Sequence, residues 1–208
     1  MTDRLSHPLR SDARDNRDRI LDAAREVFAT EGLNVPMREI ARRAGVGPAT
    51  LYRRFPTKEM LVTEAFEEQM CACQAIVAEG VADPDPWRGF CLVVERICEL
   101  HALDRGFTTA FMSTYPNAMD FAAGREHALR SVAGLARRAK ATGDLRPDFV
   151  LDDLILVFMA NGGIQATSMA ARVAASRRFA ALAIQAFRAS PQAAPLPPVP
   201  RLAMARPT

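Results

Sequence analysis

Apolar positions in this chain recur at three- and four-residue intervals and few segments alternate with period two, so the pattern predicts an all-α fold. The first periodic stretch places Ile20, Ala23, Ala24 and Phe28 on one face of a helix from about Arg17 to Thr30, capped by Asp15 or Asn16 and closed by Gly32. Two short helices follow, Met37 to Ala44 and Pro48 to Phe55, and then one long helix from Thr57 to about Glu79. Asp83-Pro84-Asp85-Pro86 interrupts the pattern, and a helix starting at Trp87 carries Phe90, Val93, Val94, Ile97 and Leu100. A shorter element from about Arg105 to Thr114 precedes a helix from Met119 to Ala141, stopped by Gly143. Two apolar helices, Phe149 to about Ala170 and about Arg172 to Ser190, complete the regular structure. Residues 1–14 are polar and of mixed charge, which predicts a flexible arm, and the Pro- and Ala-rich residues 191–208 predict a disordered tail. The remainder divides into a small domain, 15–60, and a larger one, 61–190.

The segment Met37 to Lys58 carries the most specific local chemistry. Ile40, Ala41 and Ala44 share one apolar face, and small Ala41 admits a second helix at close range. Gly45 and Gly47 bracket Val46, as suits a tight turn with a positive φ and an inward apolar plug. Pro48 fits the first helical position, where its missing N–H is not needed. Leu51 and Phe55, four apart, must face inward, which leaves Ala49, Thr50, Tyr52 and Arg53 outside. Thr hydroxyl and Ala methyl suit base edges in a major groove, and Tyr and Arg suit phosphates or guanine. Thr57 caps the next helix, and Lys58 lies in its first turn, where free N–H groups favour a phosphate. The pattern is that of a helix-turn-helix bound to double-stranded DNA.

Charge agrees with this reading. Between Gly32 and Lys58 the cations are Arg38, Arg42, Arg43, Arg53, Arg54 and Lys58, and Glu39 is the one acid, whereas the whole chain is formally only +3. The plainer alternative, a solvated basic face, does not account for the turn chemistry and the apolar spacing together.

These residues resemble the TetR family of transcriptional regulators. Ile20, Ala23, Ala24, Phe28 and Gly32 match the family's first helix, Ile40, Ala41, Ala44, Gly45 and Val46 its second, and Thr50, Leu51, Tyr52, Phe55 and Lys58 its third and the exit from it. Pro36 stands where the family often has a capping Thr or Ser, with Pro36 itself fitting a first-turn position, and Gly47 stands where Ser is common. The resemblance implies a three-helix DNA-binding domain followed by a larger helical domain for ligand binding and dimerisation. DNA contacts are then expected from Arg38, Pro48, Ala49, Thr50, Tyr52, Arg53 and Lys58. Soft and aromatic residues on the helices that line the family's cavity are Phe66, Met70, Phe90, Val94, Phe107, Phe111, Met112, Tyr115, Phe121 and Phe158, with Tyr115, His101 and Asn117 as polar neighbours. Plain core packing accounts for the same spacing. The last two helices imply a homodimer interface, with Leu156, Met159, Gly162, Gly163, Ala166, Ala183 and Phe187 as its candidates. The run Leu154 to Met159 is apolar on more than one face and needs cover on all sides.

Other chemistry finds little support. His7, His101 and His127 have no metal-ligand spacing, and no nucleophile elbow, P-loop or dinucleotide-binding glycine pattern occurs, so neither a metal, a cofactor nor an enzyme is expected. Cys71, Cys73, Cys91 and Cys98 are expected as reduced thiols in a cytoplasmic protein, because the N-terminus lacks an apolar secretory region and charges interrupt every apolar run short of membrane length. Cys71 and Cys73 point to different faces, and Cys91 and Cys98 share a face two turns apart; a redox switch between the helices that carry them stays open. Two functions remain: a dimeric repressor released from a pseudo-palindromic operator by a small apolar effector, or a DNA-binding structural or partner-binding protein of the same fold with no small-molecule signal.

Overall fold

The computed structural model describes the backbone of residues 6–112, 119–191 and 194–198, and side chains of residues 15–112, 123–191 and 194–198. Ten helices form among them: α1 (Ser6–Glu31), α2 (Met37–Arg43), α3 (Pro48–Arg54), α4 (Lys58–Ala65), α5 (Glu67–Ala82), α6 (Pro86–Leu103), α7 (Arg105–Met112), α8 (Met119–Ala141), α9 (Leu151–Gly162) and α10 (Met169–Phe187). The all-α expectation holds, and an isolated bridge between Leu145 and Arg188 is the nearest approach to a strand among the described residues.

The small domain is built on α1. Ile20, Ala23, Ala24, Val27 and Phe28 fall at helical spacing and are all buried, packing against Ile40, Ala41, Leu51, Phe55 and Leu61. Removal of five such faces from water, at about 1.5–3 kcal/mol for each large side chain, holds three short helices that could not form alone. In the larger domain α5, α6 and α8 pack side by side, and α9 and α10 cover another face of α6. The Asp83–Pro86 break is reinforced where Asp85 accepts from the N–H groups of Trp87 and Arg88 and so caps α6. At the crossing of α5 with α6, backbones touch directly: a Cβ on Gly80 would lie 2.7 Å from the Gly89 carbonyl oxygen, and one on Gly89 would overlap the Gly80 carbonyl. At their other ends, Gln69 Nε2 donates to Asp104 Oδ2 at 3.0 Å. Short α7 sits on α1, and one continuous apolar core runs from Ile20 to Phe187.

Four expectations differ from the structure. Helix α1 starts at Ser6, not near Arg17, so residues 6–14 extend the helix instead of forming a flexible arm; Pro8 lies in its first turn, where no N–H partner is lost. The long helix expected from Thr57 to Glu79 breaks at Phe66, whose φ of −120° and ψ of 17° interrupt it. Neither Gly nor Pro causes this; the fully buried Phe66 ring fits between Phe28 and Phe107, with centroids at 6.1 and 6.2 Å. Helix α9 ends at Gly162 and α10 begins after Ser168, whose hydroxyl accepts from Ala171 N–H, so Gly163 and Ala166 lie in a connection and not on a helix. The tail expected to be disordered has a described segment, 194–198, held to the α8–α9 connection: the Ala194 carbonyl accepts from Arg146 Nη2 at 2.9 Å, and Leu196 N–H donates to Asp148 at 3.0 Å. Arg146 also draws the Asp148 carboxyl down to about 2.

Candidate nucleic-acid interface

The turn between α2 and α3 is fixed from two directions. Gly45 has φ +63°, a region a side chain would strain, and a Cβ there would lie 2.5 Å from Arg19 Nη2. That same Nη2 donates to the carbonyls of Ala44 at 2.7 Å and Gly45 at 3.2 Å, so α1 clamps the turn. Val46 packs partly buried against the core. Gly47 is the residue before α3, with Pro48 at its start and no side-chain cap. Pro36 takes the cap position of α2 with extended backbone, not a first-turn position, and its carbonyl accepts from Glu39 N–H at 2.9 Å.

Leu51 and Phe55 are fully buried, which turns the other face of α3 outward. Ala49, Tyr52 and Arg53 are exposed and Thr50 is half-buried; Tyr52 keeps 49% of its surface. Thr50, Arg53 and Arg54 join Asn16, Arg17 and Ile20 around a half-open depression of about 240 Å³ between α3 and α1. The cations fall into two sets. Arg42 and Arg43 are tied to Glu39, at 2.6 and 2.9 Å, and Arg43 also to Glu31; hydrogen bonds from Arg42 and Arg43 pull the Glu39 carboxyl down to about 2. Arg38, Arg53 and Arg54 make no ion pair among the described residues, so unbalanced charge is concentrated at α3 and the start of α2. Lys58 stands differently from the expectation of a free phosphate ligand. Its ammonium donates to the Leu33 carbonyl at 2.8 Å, fastening α4 to the loop before α2, and burial lowers its pKa. Thr57 caps α4 as expected, its hydroxyl accepting from Met60 N–H at 3.2 Å.

Residues 20–65 match the model of the bacterial regulatory proteins, tetR family. A TetR transcription regulatory protein from Mycobacterium vanbaalenii is 30% identical, the likeness covering 87% of this chain and 99% of that one with a TM-score of 0.46. This chain belongs to the TetR family. An HTH-type transcriptional regulator of Staphylococcus aureus (strain USA300) is 44% identical over 54 residues, which span 26% of this chain and 29% of that relative. The ketosteroid transcriptional regulator KstR2 of Mycobacterium tuberculosis, 16% identical, superposes over 84% of this chain and 95% of its own with a TM-score of 0.67, so the shared fold extends well beyond the DNA-binding domain. The chain thus carries the DNA-binding fold of TetR-family transcriptional regulators.

The larger domain of this TetR protein separates the cavity candidates into two aromatic clusters. Phe107, Phe111 and Phe158 surround His101, with ring centroids 5.7, 5.6 and 5.4 Å from the imidazole, and Phe66 extends the group toward α1. Phe90 belongs elsewhere, stacked on Trp87 and set edge-on to Phe149 and Phe187 at the opposite end of α6. Met70 and Val94 are buried in the continuous core, and Met112 is partly buried against it. Tyr115, Asn117 and the side chain of Phe121 lie outside the described residues.

The interface candidates also separate. Leu156 and Met159 are exposed on α9, in line with Ala160 and Gly163, and Leu182 is 54% exposed on α10. Gly162 meets Thr108 of α7, where an added Cβ would lie 2.9 Å from a methyl. Ala183 and Phe187 cannot serve an interface as expected, because both are buried on the inner face of α10, Phe187 between Phe90 and Phe149. Leu182 occupies the outward position that sequence reasoning missed, since an alanine-rich helix gives no periodic contrast to orient it. All four cysteines are free and Cys71 is exposed; burial raises Cys73 and Cys98 to about 12 and Cys91 to about 11, leaving those three little thiolate for redox chemistry.

Proposed function

We propose that the protein is a dimeric, ligand-responsive repressor that binds a pseudo-palindromic operator and leaves it when a small apolar effector occupies the larger domain. The carrying observation is the outward face of α3, where Ala49, Thr50, Tyr52 and Arg53 stand clear of a core that consumes Leu51 and Phe55. Thr50 and Ala49 reach base edges; Arg38, Tyr52 and Arg53 meet phosphates or guanine, and Pro48 sets the start of the reading helix. Lys58 serves by holding α4 on the Leu33 loop and so fixing the entry angle of α3.

Two half-sites one turn apart call for two copies. The exposed stripe Leu156, Met159, Ala160 and Gly163, with Leu182 beside it, supplies a self-complementary surface for a two-fold axis. An effector that prefers the arrangement unable to span both half-sites lowers operator affinity by its differential affinity for the two states. Among the described residues no helix is long and apolar enough to cross a membrane, in keeping with action on cytoplasmic DNA.

Selection of bound duplexes from random DNA at near-physiological salt tests the reading. A two-fold symmetric motif is expected; unrelated sequences with steep salt dependence would establish nonspecific architectural binding instead.

A further inference from the structure

His101 sits in the last turn of α6 with 1% of its surface exposed, and among the described residues neither ring nitrogen has a hydrogen-bond partner. Its backbone is well held: the His101 carbonyl accepts from Thr108 Oγ1 at 3.0 Å, so that hydroxyl is already committed. The ring itself meets Phe107, Phe111 and Phe158, which offer faces and edges but no donor or acceptor. Buried polar groups are almost always satisfied, and a buried imidazole with two idle nitrogens among three phenyl rings is poor core design. A leucine or methionine would fill the space without the desolvation penalty.

We propose that His101 is the polar contact of the effector site, receiving a neutral, largely apolar molecule that carries one hydroxyl, a phenol or an alicyclic alcohol, in the cage of Phe107, Phe111 and Phe158. This rests on the ligand-responsive reading above and names its ligand class. The three rings packed against the imidazole carry no charge, and the nearby buried Arg125 gives Nη1 to the Phe111 carbonyl at 3.0 Å, so a neutral ligand suits the cage. A neutral imidazole has one donor and one acceptor, and a hydroxyl can serve either. Two of the three rings stand on α7, a helix of eight residues, so displacement of this one element opens the cage. The cage also leads to the DNA-binding domain: Phe107 is 6.2 Å from Phe66, and Phe66 is 6.1 Å from Phe28 of α1. A Cβ on Gly106 would lie 3.0 Å from the Arg25 carbonyl of α1, so α7 has no slack on that side. Movement of α7 to admit a ligand therefore presses on the helix that clamps the reading turn.

The probes are 4-ethylphenol and ethylbenzene, equal in shape apart from the hydroxyl. In the wild-type protein, the ring nitrogens of His101, one of three histidines, are followed by nitrogen-15 NMR, while Kd is measured for each probe and for the operator. Saturable 4-ethylphenol binding that shifts the His101 ring nitrogens, about ten-fold tighter than ethylbenzene, is the expected result; His101→Leu should bind the two alike. Ring nitrogens unmoved up to the solubility limit of 4-ethylphenol, or an unchanged phenol preference in His101→Leu, would overturn the proposal, and the wild-type NMR decides even if the variant folds poorly. Operator release by 4-ethylphenol that persists in His101→Leu overturns the His101 site and leaves the ligand-responsive reading standing. Binding at His101 with operator affinity unchanged does the reverse.

Discussion

Replacement of His101 by leucine should leave the protein at least as stable at pH 7 and much less sensitive to acid. Burial lowers the His101 pKa from 6.5 to about 4. The proton therefore prefers the unfolded chain. Above pH 6.5 the ring is neutral in both states and the native fold has its full stability; as pH falls from 6.5 through 4 the unfolded state gains a proton the native state refuses, and stability is lost. At about 1.36 kcal/mol per pKa unit, this one ring accounts for a loss of about 3 kcal/mol across the window, of which about 2 kcal/mol has gone by pH 4.5. Leucine does not titrate and leaves no idle buried nitrogen, each of which costs about 1–3 kcal/mol, so the variant should gain about 1 kcal/mol at pH 7 after some loss of packing. Urea unfolding of both proteins at pH 7 and pH 4.5, at one fixed protomer concentration, isolates the effect as a difference of differences. The carboxyls of Glu39 and Asp148, held near 2 by their arginine partners, are common to both proteins and cancel. Parallel losses in the two proteins, within about 0.5 kcal/mol, would show that His101 finds a proton acceptor or solvent in the native state and would refute the burial argument.

Three further outcomes follow from other contacts. Gly89→Ala places a Cβ against the Gly80 carbonyl, so urea unfolding should show a loss of about 2–3 kcal/mol, unlike an alanine at exposed Gly47 in the cap of α3. Thr50→Ala should relax base preference at one operator position by about 1–3 kcal/mol in competition binding, whereas Arg53→Ala should weaken all sequences alike and reduce the salt slope by about one. Leu182→Glu sets a carboxylate on the outward face of α10 and should give monomers in sedimentation velocity with operator affinity strongly reduced, while native-like circular dichroism shows that the protomer core is untouched.

The helix-turn-helix was legible because its signals are local. Apolar spacing fixed the inward Leu51 and Phe55, Gly45 marked the positive φ, and Thr57 marked a cap, all within one or two turns of the residues they control. What was missed depends on partners far along the chain. No breaker stands near Phe66, and its interruption arises only when Phe28 and Phe107 close around the ring. Helix α10 is rich in alanine and gives little periodic contrast, so its inner and outer faces are chosen by Phe90 and Phe149 receiving Phe187, which moved Ala183 and Phe187 off the expected interface. Lys58 was legible as a first-turn residue suited to a phosphate, but its tie to the Leu33 carbonyl across 25 residues was not. His101 was visible as a polar residue in an apolar helix, but that no described residue partners its ring is a property of the assembled core.

The direct backbone contact of Gly80 with Gly89 makes α5 and α6 a pair of blades with a fulcrum near one end. A helix interface lined with side chains can creep as rotamers change, but two touching backbones can only pivot. Measured at 1.5 Å per residue, Phe66 lies about 20 Å along α5 from that fulcrum and His101 about 18 Å along α6, so a splay of about 3° parts the free ends by about 1 Å. Among the described residues Gln69 donates to Asp104 across those ends, beside the apolar packing of the core, and Asp104 also accepts from the N–H of Phe107 at the start of α7. Opening by a degree or two is thus amplified where the aromatic cage and the root of the DNA-binding domain meet.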